Sequence, residues 1–246
     1  MRSLLLLTLL YCVLCVGCNK QTSTTSQPAT ASAIDPATAA TISGTVKFDG
    51  TAPEPRKIDM SYDPACMFSK EENFSEPYVA NTGHLQNVYV YVKEGLEGKA
   101  FAPPPQATVI DQVGCRYRPH VLAAMVGQKV EIRNSDNAMH NIHAPKFNES
   151  QTPKGPSIFK TFTEPALMMP IQCNQHPWMK VFLNVSPHPF FAVTDSAGNF
   201  SIAGLPPGTY TLAAVHERMG EKLMKITVAP KSANTADFSF SQADVK

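Results

Sequence analysis

The segment from Gln172 to Lys180 brings together side chains that bind soft metal ions. Cys173, His176 and Met179 follow one another at intervals of three residues, and the earlier segment 140–143, His-Asn-Ile-His, supplies a candidate fourth ligand. A thiolate, two imidazoles and a thioether suit copper bound strongly by two histidines and one cysteine and weakly by a methionine. Zinc more often takes four strong nitrogen or sulfur ligands, and the chain has no two separate Cys-x-x-Cys motifs. The residue types therefore predict a copper site for electron transfer.

A strand that ends in a sharp turn would position these donors. If a strand delivers Cys173 and then turns, the side chains three and six residues later reach the same point, and Pro177 would stiffen the turn. The remaining histidine must come from the end of a neighbouring strand, which gives a preformed cage. Such a cage changes little between Cu(I) and Cu(II), so an electron moves with little reorganisation. The alternative is a cysteine and a methionine packed in a core beside two surface histidines.

The same motif resembles the amicyanin and plastocyanin group of cupredoxins, which are small type 1 (blue) copper proteins. The similarity comprises Cys-x-x-His-Pro-x-Met at residues 173–179, the upstream His-Asn-Ile-His and its lead-in, and it spans roughly residues 107–186. The resemblance implies that one type 1 copper is bound by His140, Cys173, His176 and Met179. It also implies that Asn141 hydrogen-bonds near the thiolate. On a strand, His143 would point to the face opposite His140, so we do not expect it to be a ligand.

Length and charge exclude several classes of protein. A chain of 246 residues allows one or two domains, each with a sizeable core. The formal net charge of +1 argues against a nucleic-acid partner, which usually meets a strongly basic surface. With 21 prolines and 17% charged residues, the composition favours an exported, β-rich protein.

The N-terminus predicts export and attachment to a membrane. Residues 1–17 contain one early arginine and a short apolar run, as a signal peptide does. The run ends Leu-Cys-Val-Gly-Cys, which resembles a bacterial lipobox with Cys18 as the lipidated residue, although simple cleavage without lipidation is the alternative. The rest of 18–40 is rich in Ser, Thr, Ala and Gln and predicts a flexible tether. The resemblance implies a lipoprotein of the bacterial cell envelope that faces the periplasm or the exterior.

The remaining cysteines predict a disulfide. After loss of the signal peptide and lipidation, the folded part retains Cys66, Cys115 and Cys173. In an oxidising compartment two of three thiols are expected to pair. If Cys173 holds copper, Cys66 and Cys115 are the natural pair, and the alternative is two buried thiols.

A second set of strands flanks the copper motif. Residues 41–95 and 190–232 contain alternating strands and turns, including Thr-Asp-x-x-Gly-x-Phe and Leu-Pro-Pro-Gly-x-Tyr. They resemble the carboxypeptidase regulatory-like, or transthyretin-like, β-sandwich, also seen as an accessory domain of rhamnogalacturonan lyases. The predicted fold is all-β, a cupredoxin Greek-key β-sandwich with a smaller sandwich of this kind. The copper domain, 107–186, is either inserted into the smaller sandwich or precedes it in tandem.

The resulting functional prediction is a membrane-anchored carrier of single electrons rather than an enzyme. Its partners would be redox proteins, such as a cytochrome or a dehydrogenase, with His176 nearest the surface as the electron port. Copper oxidases and nitrite reductases need further ligands, usually His-x-His pairs, and the chain has none. Two alternatives remain: a non-redox β-sandwich lipoprotein that binds carbohydrate or protein, and a copper-handling protein.

Overall fold

A computed structural model of the protein describes residues 32–67 and 73–245. The predicted signal peptide, the predicted lipidation site Cys18 and the start of the predicted tether lie outside these residues. The described end of the tether, 32–39, contains no strand, and its first backbone amide donates a 2.6 Å hydrogen bond to Ala100 O. None of the helices that the described residues form is long and apolar enough to cross a membrane.

Within the described residues the chain forms nineteen strands and two short helices. The strands are β1 (Ala40–Asp49), β2 (Ala80–Asn81), β3 (His84–Leu85), β4 (Tyr89–Glu94), β5 (Thr108–Gln112), β6 (Tyr117–Arg118), β7 (Val121–Met125), β8 (Lys129–Asn134), β9 (His140–Ala144), β10 (Phe147–Gln151), β11 (Ile158–Thr161), β12 (Ala166–Gln172), β13 (Lys180–Ser186), β14 (Phe191–Val193), β15 (Asn199–Leu205), β16 (Gly208–His216), β17 (Gly220–Val228), β18 (Ala233–Thr235) and β19 (Phe238–Ser241). The helices are α1 (Pro64–Met67) and a 3₁₀ helix (Gln242–Asp244). The prediction of an all-β fold built from β-sandwiches is confirmed.

Strands from both ends of the chain form one unit, which we call the terminal sandwich (β1–β4 and β14–β19). In its first sheet, β1 pairs antiparallel with β15 and β3 and parallel with β18 and β19. In its second sheet the strand order is β14-β4-β16-β17. The two sheets share one apolar core, to which Ile42, Val90 and Phe240 contribute fully buried side chains. Strands that lie before and after the copper motif in sequence therefore fold together.

The residue pattern of β1 explains its central place in this unit. Ile42, Val46 and Phe48 are buried, and the residues between them are partly or fully exposed, as expected when one face of a sheet covers a core. At Gly44 a Cβ atom would lie only 1.9 Å from Ala236 O, so the last strands can approach β1 only because this residue is glycine.

The strands β5–β13 form a second unit, which we call the central sandwich. One sheet has the order β10-β9-β12-β13-β7 and the other β11-β8-β5-β6. Two pairs, β5 with β8 and β7 with β13, are parallel. Fully buried side chains such as Ile110, Ile132 and Val181 fill the space between the sheets. The strand ends that carry the copper motif belong to this sandwich.

The described parts of the segment 50–79, residues 50–67 and 73–79, leave the terminal sandwich after β1 and pack on the central sandwich. We call them the excursion. Its Met60 and Cys66 belong to the apolar core of the central sandwich. Cys66 is joined to Cys115 by a disulfide, with 5.6 Å between the two Cα atoms. The segment predicted as the N-terminal strands of the smaller sandwich, 41–95, thus contributes to both cores.

Candidate metal centre

Three strand ends position the predicted copper ligands. His140 is the first residue of β9, Cys173 follows the last residue of β12, and His176 and Met179 lie in the loop before β13. Strands β12 and β13 pair antiparallel up to Gln172 and Lys180, so the loop that joins them starts and ends at the same edge of the sheet. Strand β9 pairs with the end of β12, which brings its first residues next to this loop.

Backbone hydrogen bonds close the loop between β12 and β13. The amide of Met179 donates to His176 O at 2.9 Å, and the amide of Cys173 donates to Met179 O at 3.2 Å. The thioether of Met179 is fully buried in the same apolar cluster as Cys173. These bonds close Cys173, His176 and Met179 into one tight loop, and a tight turn at this position is what the sequence predicts.

The side chains of His140, Cys173 and His176 form a buried cluster. One potential ligand atom of each lies within 4.8 Å of those of the other two. The two Nδ1 atoms are 3.0 Å apart, and Cys173 Sγ lies 3.7 Å from His176 Nδ1. A thiolate and two imidazole nitrogens thus converge on one small volume.

A carboxylate holds the outer nitrogen of each imidazole. His140 Nε2 lies 2.8 Å from Asp136 Oδ2, and His176 Nε2 lies 2.9 Å from Asp63 Oδ2. Because an ionised carboxylate only accepts hydrogen bonds, each Nε2 carries a proton, and the Nδ1 atoms face each other and the Cys173 sulfur. Two imidazole nitrogens and a thiolate that converge in this way can bind a cation between them, so the residues present fit a metal ion.

The electrostatics of the cluster favour an ionised thiol. Burial raises the pKa of Cys173, but hydrogen bonds from His140, His176 and backbone amides outweigh that effect and lower the pKa to about 5. Burial also lowers the pKa of both histidines, yet their hydrogen bonds to carboxylates and to Cys173 raise it overall. The site therefore carries a thiolate at neutral pH and attracts positive charge.

Asn141 connects the two parts of the sequence that supply the ligands. Its backbone amide donates to Cys173 Sγ at 3.4 Å, and its side-chain oxygen accepts a hydrogen bond from the amide of Asn174. The position predicted to hydrogen-bond near the thiolate thus contacts the sulfur through the backbone, and its side chain ties β9 to the ligand loop. His143 lies outside the ligand cluster, and its Nδ1 is 2.8 Å from Asn174 Oδ1.

The expectation that His176 lies nearest the surface as the electron port is wrong. The side chain is 1% exposed because the excursion covers it. Asp63 holds its Nε2, Cys66 Sγ lies 3.6 Å from the same nitrogen, and the Trp178 ring packs against the imidazole with centroids 5.2 Å apart. The outer edge of the imidazole therefore faces the disulfide and a carboxylate instead of solvent.

Two carboxylates and one phenol of the site were not predicted. Asp136 lies four residues before His140 in the turn between β8 and β9, so its proximity to a ligand was a usable signal. Asp63 is 113 residues from its partner, and no local pattern marks it. Tyr117 is buried, and its hydroxyl donates to Asn141 O at 2.6 Å beneath the cluster.

Comparison with known proteins gives matches to solved structures only. No family model matches the chain, and no curated protein matches it. Among solved structures, a Cu-containing nitrite reductase from Thermus scotoductus SA-01 is 26% identical with a TM-score of 0.30, and the match covers 37% of this chain and 24% of that one. A purple cupredoxin from Nitrosopumilus maritimus is 24% identical with a TM-score of 0.29, covering 32% of this chain and 99% of that one. A methionine-to-alanine mutant of amicyanin in the Cu(I) state is 19% identical with a TM-score of 0.30, and the match covers 39% of this chain and 98% of that one.

The nitrite reductase, the purple cupredoxin and the amicyanin mutant each match only part of this chain. The chain spans about a quarter of the length of the nitrite reductase and nearly all of the other two proteins. The resemblance of the terminal sandwich to a carboxypeptidase regulatory-like domain stays a prediction, as do the domain boundaries.

Proposed function

We propose that the chain is a type 1 copper protein that carries single electrons. The observation that carries this proposal is the buried convergence of a thiolate and two imidazole nitrogens, each imidazole held from outside by a carboxylate. These donors suit copper, and a buried methionine in the same loop completes the set. The ligands would be His140, Cys173, His176 and Met179.

The residues around the ligands keep the site rigid. Asp63 and Asp136 fix the two imidazole rings, and the backbone amide of Asn141 holds the sulfur. Burial excludes water, so no solvent molecules have to rearrange when the charge of the site changes. Bound copper supplies a centre that takes up and releases one electron, and the fixed donors keep the reorganisation small.

A redox titration tests this carrier function. The chain loaded with one equivalent of copper should lose its visible band on addition of one electron equivalent and recover it on reoxidation, with the metal retained throughout. The variant His140→Ala, which removes a proposed ligand, should abolish this redox cycle. The matched control His143→Ala, which changes a histidine outside the cluster, should preserve it. Release of copper on reduction would instead indicate a copper-handling protein.

We also propose that the chain acts in the bacterial cell envelope as a lipoprotein anchored through Cys18. This proposal rests on the sequence of residues 1–40, most of which lie outside the described part of the chain. It predicts that the exported protein is found in the membrane fraction and that Cys18→Ser moves it to the soluble fraction. In this proposal the chain is a carrier between redox proteins and not an enzyme.

A further inference from the structure

A cleft of about 410 Å³ lies beside the ligand loop, where the central sandwich meets the excursion and the turn after β16. The loop contributes Pro177 and Trp178 to its wall. Five cationic side chains also line it, namely Arg56, Lys57, Arg116, Lys180 and Arg218. Pro177 and Trp178 are therefore surrounded by cationic side chains in this cleft.

The two carboxylates of the cleft already have side-chain partners. Glu76 pairs with Arg116, and Glu217 Oε1 lies 2.6 Å from His120 Nε2. By contrast, Arg56, Lys180 and Arg218 are exposed. None of these three side chains forms an ion pair with a described residue. The cleft consequently has an excess of positive charge at its rim.

Trp178 connects this cleft to a ligand of the proposed copper site. Its ring is half-buried and packs against His176, with an angle of 43° between the ring planes. Its indole nitrogen donates to Cys115 O at 3.0 Å, which fixes the ring in place. Since the imidazole itself is covered, Trp178 is an aromatic path from the cleft to that ligand.

We propose that the acidic face of a redox partner protein docks on this cleft and exchanges an electron with the metal site through Trp178. This inference rests on the proposed carrier function. The partner is oxidised by one electron, and Cu(II) is reduced to Cu(I), without transfer of a proton or an atom. Cations spread along an exposed rim fit a protein face, because a site for a small anion would offer buried donors directed to one point. Complementary charge of this kind speeds association.

Trp178 is the only tryptophan of the chain, so its fluorescence tests the cleft without copper. In the full, copper-free chain, iodide should quench this fluorescence about two-fold or more better than caesium does, since the cations enrich anions locally. The double variant Lys180→Gln/Arg218→Gln should lose this preference. The control Lys129→Gln/Lys225→Gln, which removes equal charge outside the cleft, should keep it. Equal quenching by both ions in the wild-type chain would overturn the proposal.

A peptide probe separates a protein face from a small anion. An oligo-glutamate peptide should protect Trp178 from iodide at far lower concentration than free glutamate, because several carboxylates engage the separate cations together. Equal protection by free glutamate would indicate a small-anion site and overturn docking of a protein face.

The electron path is tested with the copper-loaded chain. Trp178→Leu should leave the visible spectrum unchanged and slow reduction by an anionic iron complex several-fold, whereas the control Phe159→Leu should do neither. An unchanged rate, or a lost spectrum, would contradict the role of Trp178 as a path. A wild-type chain without any copper spectrum would refute the carrier function, and the quenching result would still decide whether the cleft binds an acidic face.

Discussion

Each imidazole of the metal site is oriented by a carboxylate behind it. Asp63 and Asp136 accept hydrogen bonds from the Nε2 atoms, which leaves the Nδ1 atoms to face the Cys173 sulfur. Such partners fix the ring orientation and raise the basicity of the ligand nitrogen. In the proposed site, the affinity for copper should therefore depend on residues that would not contact the metal.

Removal of the charge at Asp63 should weaken copper binding. In Asp63→Asn the amide holds His176 less strongly, so we expect the affinity for Cu(II) to fall by about 10-fold to 100-fold. A competition titration with a chelator measures the change. Asp59→Asn is the matched control, because Asp59 also accepts a hydrogen bond from the amide two residues later and lies in the same excursion. Equal affinities in the two variants would contradict the role of the carboxylate.

The thiol of Cys173 should titrate far below its ordinary pKa of 9.0 in the copper-free protein. Because the folded-state pKa of about 5 is lower than that of the unfolded chain, the thiolate stabilises the fold. This contribution is complete above the unfolded pKa and is lost as the pH falls through the folded value. Ultraviolet absorbance of the thiolate should therefore persist at neutral pH and disappear near pH 5. Cys173→Ser should lack this transition, and a wild-type transition near 9 would contradict the proposed hydrogen bonding.

Much of the candidate site could be predicted because three of the proposed ligands lie within one turn. Cys173, His176 and Met179 are local in sequence, so their spacing alone predicts that they meet. His140 could be selected as the fourth ligand only through the family resemblance, because its strand is distant in sequence from the loop. Asp63 could not be predicted, since its place depends on how the excursion packs.

At the scale of elements, the excursion acts as a cover over the metal site. Helix α1 places Cys66 beside His176. A disulfide joins Cys66 to Cys115, which lies in the loop between β5 and β6. The disulfide therefore attaches the excursion covalently to the central sandwich. The burial of His176 follows from this arrangement, and the proposed route through Trp178 rests on it.

The disulfide should contribute strongly to stability. In the chain-entropy account, a closed loop with a sequence separation of 49 residues adds about 4 kcal/mol to the free energy of unfolding. Cys66→Ala/Cys115→Ala should lose about this amount in denaturant unfolding monitored by circular dichroism. The wild-type chain with and without a reductant provides the control. Unchanged stability after removal of both cysteines would contradict a structural role of this bond.

At the scale of the whole molecule, a network of ion pairs and hydrogen bonds joins the two sandwiches. Glu76 in the excursion pairs with Arg116 and Arg118 of the central sandwich, and His120 lies between Glu76 and Glu217 of the terminal sandwich. The side chain of Arg116 is only 5% exposed. A buried cation of this kind is stable only while its partner is present.

Loss of Glu76 should therefore destabilise the protein. Glu76→Gln leaves Arg116 with a backbone acceptor but no counterion, and we expect a loss of about 3 kcal/mol in the free energy of unfolding. Glu164→Gln removes an ion pair with Lys146 that is exposed on both sides, and this control should cost less than about 1 kcal/mol. Similar losses in the two variants would show that the network does not hold the sandwiches together.

The whole-molecule arrangement could be predicted only in outline. The alternation in β1 and the turn motifs after β14 predict strands, but pairing of β1 with the last strands depends on contacts across nearly 200 residues. The sequence therefore left insertion and tandem arrangement open. The shared core of the terminal sandwich is the arrangement that insertion requires, and the division into domains stays a prediction.

The visible and EPR spectra of the chain loaded with Cu(II), measured beside Cys173→Ser, test the central claim most directly. A thiolate bound to copper gives an intense visible band, so we predict a strongly coloured wild-type protein and a colourless variant. A wild-type chain that shows no such band, or a band that persists without Cys173, would contradict the proposed type 1 copper site.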